Sequence, residues 1–415
     1  MTATFHALRS LLFAVAVLLT GHGLQLTLLP LEAQALGWSD SAIGLTGSFY
    51  YLGFIVGCLT IPRLIRRVGH IRTFTVCISV AAVALLAASI SEVYVLWLGL
   101  RMATGWSMAG LYTTIESWLN DRAQNEQRGR VLAVYTIISL AALVLGQFLL
   151  QVESLALDNL FPVAAMFIVA ATLPVALTSR PQPSVPAEVH FSWRAVFDAS
   201  QVGLVCSGLS GLVMGLLWSL GAVYVSGLTG DPGDGAQFMA AIIIGGLVVQ
   251  FPIGRLSDAF DRRWVILGLG VLGMVGASLW LAVPLSGVWM YVSGFLCGGA
   301  AMPMYSVSIA HANDNAEGRF LQIASGMLMA NAIGAVVGPL LYGGTELVGV
   351  VYGFMGIVFL AFLVCVVWTA RRLQTHSVQR THFEPFQPVP KTGPEVFAMD
   401  PRIGETPVVD EEPRN

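Results

Sequence analysis

The chain is built from long runs without a charged side chain. Residues 10–31, 41–62, 73–91, 131–152, 159–179, 199–230, 235–254, 320–345 and 347–370 contain no Asp, Glu, Lys or Arg. Each is long enough, as a helix, to cross a hydrocarbon core of roughly 30 Å. The run 264–313 is long enough for two crossings, with a turn at 284–287. One further apolar stretch, 93–115, is broken only by Arg101. The pattern predicts twelve transmembrane helices. The runs are continuously apolar rather than alternating, which excludes a transmembrane β-barrel. Apolar residues 11–19 followed by Ala33-Gln34-Ala35 have the outline of a signal peptide. With Arg9 as the only charge before them and eleven spans behind, they read as the first membrane helix.

Polar positions between the runs set the orientation. The loops after spans 2, 4, 6, 8 and 10, with both termini, hold 20 of the 21 basic residues, and the loops after odd-numbered spans hold none. The odd loops carry acids instead, among them Glu32, Asp40, Glu92, Asp231 and Asp234. Basic loops stay cytoplasmic, so both termini are expected there, in a bacterial inner membrane. Residues 179–197 read as a cytoplasmic linker between six-span halves at 1–178 and 198–370, and 371–415 as a disordered tail. A shift of 192 residues superposes the halves: Gly23 falls on Gly215, Gly53 on Gly245, Pro62 on Gly254 and Gly146 on Gly338.

Composition agrees: 56% of the 415 residues are hydrophobic and 11% charged, far below the quarter usual for soluble domains. The net charge of −3 gives no basis for nucleic-acid binding. The only Lys is Lys391, so no phosphate-binding loop of the G-x-x-x-x-G-K-[ST] type exists and an ATP-driven pump is excluded. The five cysteines sit in spans without metal-ligand or redox spacing. No metal, cofactor or catalytic set is expected, and the chain reads as a non-enzyme.

The loops carry a family resemblance. After span 8 the chain reads Gly254-Arg255-Leu256-Ser257-Asp258-Ala259-Phe260-Asp261-Arg262-Arg263. This resembles the G-x-x-x-D-x-x-G-R-R loop of the major facilitator superfamily, with Asp261 in the place of the second Gly. The loop after span 2 keeps Gly69 and Arg72 but has Pro62 and Arg66 where the family has Gly and Asp. Arg101-Met102-Ala103-Thr104-Gly105 in span 4 resembles the family's R-x-x-x-G motif. The stretch Glu116-Ser117-Trp118-Leu119-Asn120, Arg128-Gly129-Arg130 and Leu29-Pro30-Leu31 are similar to the YcaD-like subgroup. The resemblance implies an all-α membrane fold of twelve helices in two pseudo-symmetric six-helix bundles. It implies a monomeric secondary transporter that alternates access to a midplane site for a small organic solute, coupled to protons, with a drug or metabolite efflux antiporter as the alternative and a non-transporting membrane receptor or scaffold as a distant one. Antiporters of the family carry G-x-x-x-G-P in span 5. Here Gly334-Ala335-Val336-Val337-Gly338-Pro339 lies in span 11, which weakens that alternative.

In that fold spans 1, 4, 7 and 10 line the cavity. The candidate substrate and proton contacts are therefore His22 and Gln25 on span 1, Arg101, Tyr112 and Glu116 on span 4, Trp218 and Tyr224 on span 7, Tyr305 on span 10 and Asn331 on span 11. Arg101, Gly105, Ala109, Tyr112 and Glu116 share one helical stripe. Arg101 and Glu116 are about 22 Å apart along the helix and cannot pair, so His22 or an anionic substrate is the expected partner of Arg101. Gly69, Arg72, Gly254, Asp258, Arg262 and Arg263 are the candidate inner-gate residues.

Overall fold

The structure is a computed structural model that describes residues 2–122, 127–152, 157–177, 192–282, 287–316, 319–347 and 353–375. The described residues form helices and no strand. The first half contains α1 (Thr2–Ala35), α2 (Asp40–Val68), α3 (His70–Ser89), α4 (Tyr94–Arg122), α5 (Arg128–Leu149), α6 (Leu157–Ala170) and the short α7 (Thr172–Ala176). The second contains α8 (Trp193–Ala199), α9 (Gln201–Thr229), α10 (Pro232–Ala259), α11 (Arg262–Ala282), α12 (Val288–Asn313), α13 (Phe320–Leu347) and α14 (Gly353–Thr375). Eleven crossings are long and apolar enough to span a membrane, with α6 and α7 making one of them. The twelfth is α4, which is as long as α2 and α9 but carries Arg101 and Glu116 in its interior.

Short polar signals set the helix ends. Ser39 Oγ accepts from Ala42 N–H at 3.3 Å and starts α2, with Asp40 at the positive end of the helix dipole. Ser200 caps α9 through Gly203 N–H at 2.8 Å. Asp231 caps α10, with Pro232 in the first turn. Gly230, at φ +77°, ends α9 in the left-handed region that favours glycine.

The duplication seen in the sequence is a duplication of helix crossings. Gly53 of α2 lies against the Met102 backbone of α4, where a Cβ would collide, and Gly245 of α10 lies likewise against Phe295 of α12. Gly23 and Gly146 join α1 to α5, and Gly215 and Gly338 join α9 to α13. Lipid gives apolar side chains no reason to prefer each other, so helices associate where small residues let backbones approach. The same crossings therefore recur 192 residues apart.

Burial follows membrane logic. The side chains of Phe13, Val83, Leu145, Val248 and Leu360 face outward, while His22, Gln25, Arg101, Glu116 and Asn331 are buried. Among the crossings that meet the length and hydropathy criterion, α1, α9 and α12 are the most enclosed, and the α6–α7 crossing and α14 the least. That places spans 1, 7 and 10 at the centre, as the resemblance implies. The halves meet where α2 packs on α13 and α5 on α10. At the end bearing the acidic loops, Ser48 Oγ donates to Val336 O at 2.8 Å, Gln34 Nε2 to Val223 O at 3.2 Å, and Tyr342 OH to Asp40 Oδ2 at 3.0 Å.

The structure differs from the sequence reading beside the linker. Residues 193–197, read as linker, belong to α8. Val196 is fully buried against α13 at Gly326, and Asn315 Nδ2 donates to Ala199 O at 3.1 Å. A seven-residue amphipathic turn hides in a polar sequence because only its Ala195, Val196 and Ala199 face is buried. The turn at 284–286, the linker at 179–191 and the tail from 376 lie outside the described residues.

Candidate functional site

Between the halves lies a cavity with about 1100 Å³ of empty space, including the part continuous with solvent. Its walls come from α1, α2, α4 and α5 on one side and α9, α10, α12 and α13 on the other. Leucines from α1, α5 and α13 and the aromatic rings of Tyr50, Tyr51, Phe54, Tyr112 and Trp218 make about half of the wall. The polar groups are few: the His22 imidazole, the Gln250 and Asn331 amides, and the Thr136 and Ser139 hydroxyls. A mostly apolar wall with a few fixed polar groups is the usual character of a small-molecule site.

Four of the nine candidate contacts reach this wall: His22, Tyr112, Trp218 and Asn331. Asn331 is held by a hydrogen bond from Nδ2 to Ser207 O at 2.8 Å. Gln25 is fully buried one turn from His22, behind the wall. Glu116 is fully buried and accepts from Tyr135 OH at 3.4 Å. Tyr305 is fully buried within α12. Tyr224 stacks on Phe354 with ring centroids 4.5 Å apart and tilts against Trp280 at 5.2 Å, so it sits in the packing of the second half rather than on the cavity. The span-4 stripe divides in the same way. Gly105 packs on the Tyr50 backbone and Ala109 on Gly57, and only Tyr112 reaches the cavity.

Arg101 lies one layer behind the wall. Its side chain is 5% exposed and its guanidinium carbon sits 4.8 Å from the centroid of the Tyr50 ring. Tyr50 OH in turn lies 3.4 Å from His22 Nε2, with the two rings stacked at 6.1 Å. Tyr51 packs edge-on against Tyr50 at 5.2 Å. A line of contact therefore runs from the buried cation through Tyr50 to the imidazole on the wall. A guanidinium over an aromatic face is attracted by the ring quadrupole, and the attraction strengthens when both are desolvated.

At the opposite end of α2 and α10 lie the inner loops. Gly69, at φ +86°, ends α2 with its N–H on Ile65 O, and Arg72 is exposed. Gly254 is buried in α10 and Asp258 is exposed in its last turn. Arg262 is 1% exposed, pairs with Asp314 beyond α12 at 2.8 Å, and donates to Ser257 Oγ at 3.2 Å. Arg263 grips Asp261 through Nε and Nη2 and donates from Nη1 to Arg372 O at 3.3 Å. Asp261, which departs from the family glycine, accepts the Arg263 N–H at 2.9 Å and so caps α11. Burial pushes the Asp261 carboxyl up, but the hydrogen bonds and charge of Arg263 outweigh it and hold the group below its ordinary range.

Sequence reasoning passes over Tyr50, Tyr51, Gln250 and Asp314. Tyr50 and Gln250 each bear a weak sign: they are a hydroxyl and an amide inside otherwise apolar runs. Asp314 bears none, because its partner is 52 residues away.

The sequence pattern of the Major Facilitator Superfamily matches residues 11–231 and again 203–403. The chain is 27% identical over 316 residues to the uncharacterized MFS-type transporter YcaD of Salmonella arizonae, covering 75% of this chain and 82% of that one. Against the YcaD of Escherichia fergusonii it is 27% identical over 300 residues, covering 72% and 78%. A point mutant of the nucleoside transporter NupG has a similar structure, with a TM-score of 0.71 at 14% identity over 89% of this chain and 99% of that one. A point mutant of the Escherichia coli fucose:proton symporter FucP superposes with a TM-score of 0.55 at 14% identity, over the same shares. Twelve crossings, halves built on the same glycine contacts and a family pattern met twice in tandem agree: this chain belongs to the major facilitator superfamily.

Proposed function

We propose that the protein is a secondary active transporter of the bacterial inner membrane. It moves a small organic solute by alternating access, with both termini in the cytoplasm and one chain as the working unit. The observation that carries this reading is the apolar cavity between two repeated halves, sealed at the acidic-loop end by Ser48, Gln34 and Tyr342. Breaking those bonds while forming others at the opposite end would expose the same wall to the other side.

Proton coupling is the second part of the proposal. His22 is the imidazole on the wall, the side-chain type best suited to accept and release a proton. Arg101, which keeps its proton, acts on it through Tyr50. A solute entering beside His22 would alter the balance between the imidazole and the fixed cation, and so link occupancy to protonation. A fucose:proton symporter among the structural neighbours is compatible with this reading. The position of the Gly334–Pro339 motif in α13 rather than α5 supports symport over efflux.

Flux of a solute panel into membrane vesicles, with and without an imposed pH gradient, tests the proposal. The gradient should drive accumulation in the wild type, and His22→Asn should leave downhill movement but abolish accumulation. Wild-type flux indifferent to the gradient would refute coupling. Absence of flux for every solute, with protein in the membrane, would refute transport.

A further inference from the structure

We infer that the cavity takes a small organic monoacid: one compact anionic group, such as a carboxylate, on an apolar or aromatic body. The anion sits at the His22–Tyr50 wall and is drawn there by Arg101. This rests on the transporter reading and narrows it to a class of solute.

The wall contains no acid. A cationic solute would therefore leave water for a surface without a counter-ion. About half of the wall is leucine and aromatic ring, which suits an apolar or planar body stacked on Trp218 or Tyr112. Neither point yet separates a neutral solute from an acid.

Arg101 does. Its Nε and Nη1 are buried and make no hydrogen bond among the described residues. Its described contact is the face of Tyr50, 4.8 Å away. A ring face attracts the charge but cannot stand in for hydrogen-bond acceptors, and a guanidinium carries five donors. Glu116, the acid on the same stripe of α4, is about 22 Å along the helix. Buried cations in a membrane helix bundle are retained where they have a partner to meet. His22, whose Nε2 lies 3.4 Å from Tyr50 OH, is buried beside the same ring. Donors of Arg101 thus stand unused behind Tyr50, and Tyr50 and His22 both border the cavity. A carboxylate at this wall accepts hydrogen bonds from His22 and Tyr50 OH, with the Arg101 charge one layer behind the ring. One guanidinium behind a wall that has no Arg or Lys of its own matches one negative charge, since a second would be desolvated without compensation.

The test uses full-length protein in lipid nanodiscs and three probes with the same ring: benzoate, benzamide and benzylamine. Quenching of Trp218 fluorescence, identified as the component missing in Trp218→Phe, reports binding. Benzoate should bind at least about tenfold more tightly than benzamide, and benzylamine most weakly. Arg101→Gln should collapse the benzoate preference while benzamide binding is kept, which also shows that the variant is folded. Arg101→Lys should retain part of the preference, because it keeps the charge without the planar fork. Equal binding of the three probes, a preference for benzamide or benzylamine, survival of the preference in Arg101→Gln, or no binding of benzoate at millimolar concentration would each overturn the inference. Counterflow in proteoliposomes separates the two readings. Benzoate binding without exchange of any solute sinks transport and leaves the acid site. Exchange of neutral solutes alone sinks the acid site and leaves transport.

Discussion

Loosening the outer seal should shift the resting equilibrium of the protein by an amount that can be worked out. Two of the three hydrogen bonds described at the acidic-loop end are removed by the small changes Ser48→Ala and Tyr342→Phe. The Ser48 bond to Val336 O is partly buried and neutral, and contributes about 1 kcal/mol. The Tyr342 bond to Asp40 involves a charge but is only partly buried, and solvent screening reduces it to about 1 kcal/mol as well. If both bonds exist only in the outer-closed arrangement, the pair is worth about 2 kcal/mol, or roughly thirtyfold in the ratio of open to closed. A cysteine placed at Ala332, which lines the cavity, in a background without the five native cysteines reports that ratio. Its reaction with a membrane-impermeant maleimide added from the acidic-loop side should accelerate by about the same factor in the double variant. Each single variant should give roughly a fivefold change. An unchanged rate, with normal protein levels, would mean that these bonds persist when the cavity opens outward, or that the seal lies elsewhere.

Further expectations concern orientation and the inner loops. A reporter fused after Arg372 should behave as cytoplasmic and one inserted at 231–235 as periplasmic; the opposite result at either site refutes the orientation drawn from the basic residues. Asp314→Asn leaves the Arg262 guanidinium buried without its carboxylate and should cost about 3 kcal/mol, seen as a lower thermal midpoint. Arg262→Met combined with Asp314→Leu should recover most of that loss, and no recovery would show that the pair does more than satisfy itself. Asp261 is held below the ordinary carboxylate range, so its contribution to stability is present above about pH 3.9 and is lost as pH falls through its lower folded-state value. Asp261→Asn should lower stability at neutral pH and flatten the acid limb of a melting-point profile; a parallel downward shift at all pH values would contradict the linkage.

The crossings were legible because lipid penalises charge over a fixed length, and that selection is written directly into the runs between charged residues. The repeat was legible through Gly23, Gly53 and Gly146 and their counterparts, because a backbone crossing tolerates no Cβ. The cavity wall was legible only in part, because spans 2, 5, 8 and 11 supply more of it than the expected spans 1, 4, 7 and 10. His22, Tyr112 and Trp218 were found because their spans are central, yet Tyr224 and Tyr305 lie on equally central spans and do not reach the wall. In a helix that is apolar all round, periodicity does not say which face points inward. Tyr50 escaped for another reason. Its significance lies in a cation on a neighbouring helix and an imidazole on a third, and no local pattern encodes that meeting.

The seam between the halves is asymmetric in one respect. In two of the three hydrogen bonds described above the first half supplies a side-chain donor, Ser48 or Gln34, and the second half supplies a main-chain carbonyl, Val336 O or Val223 O. A carbonyl is present whatever residue occupies the position, so the second half can drift in sequence along α9 and α13 without losing these acceptors. The halves are therefore exchangeable parts in one direction. A chimera that keeps residues up to the linker from this protein and takes α9–α14 from a relative inherits most of the outer seal intact. The reciprocal chimera must bring its own donors, and its seal stands or falls on whether that relative has them.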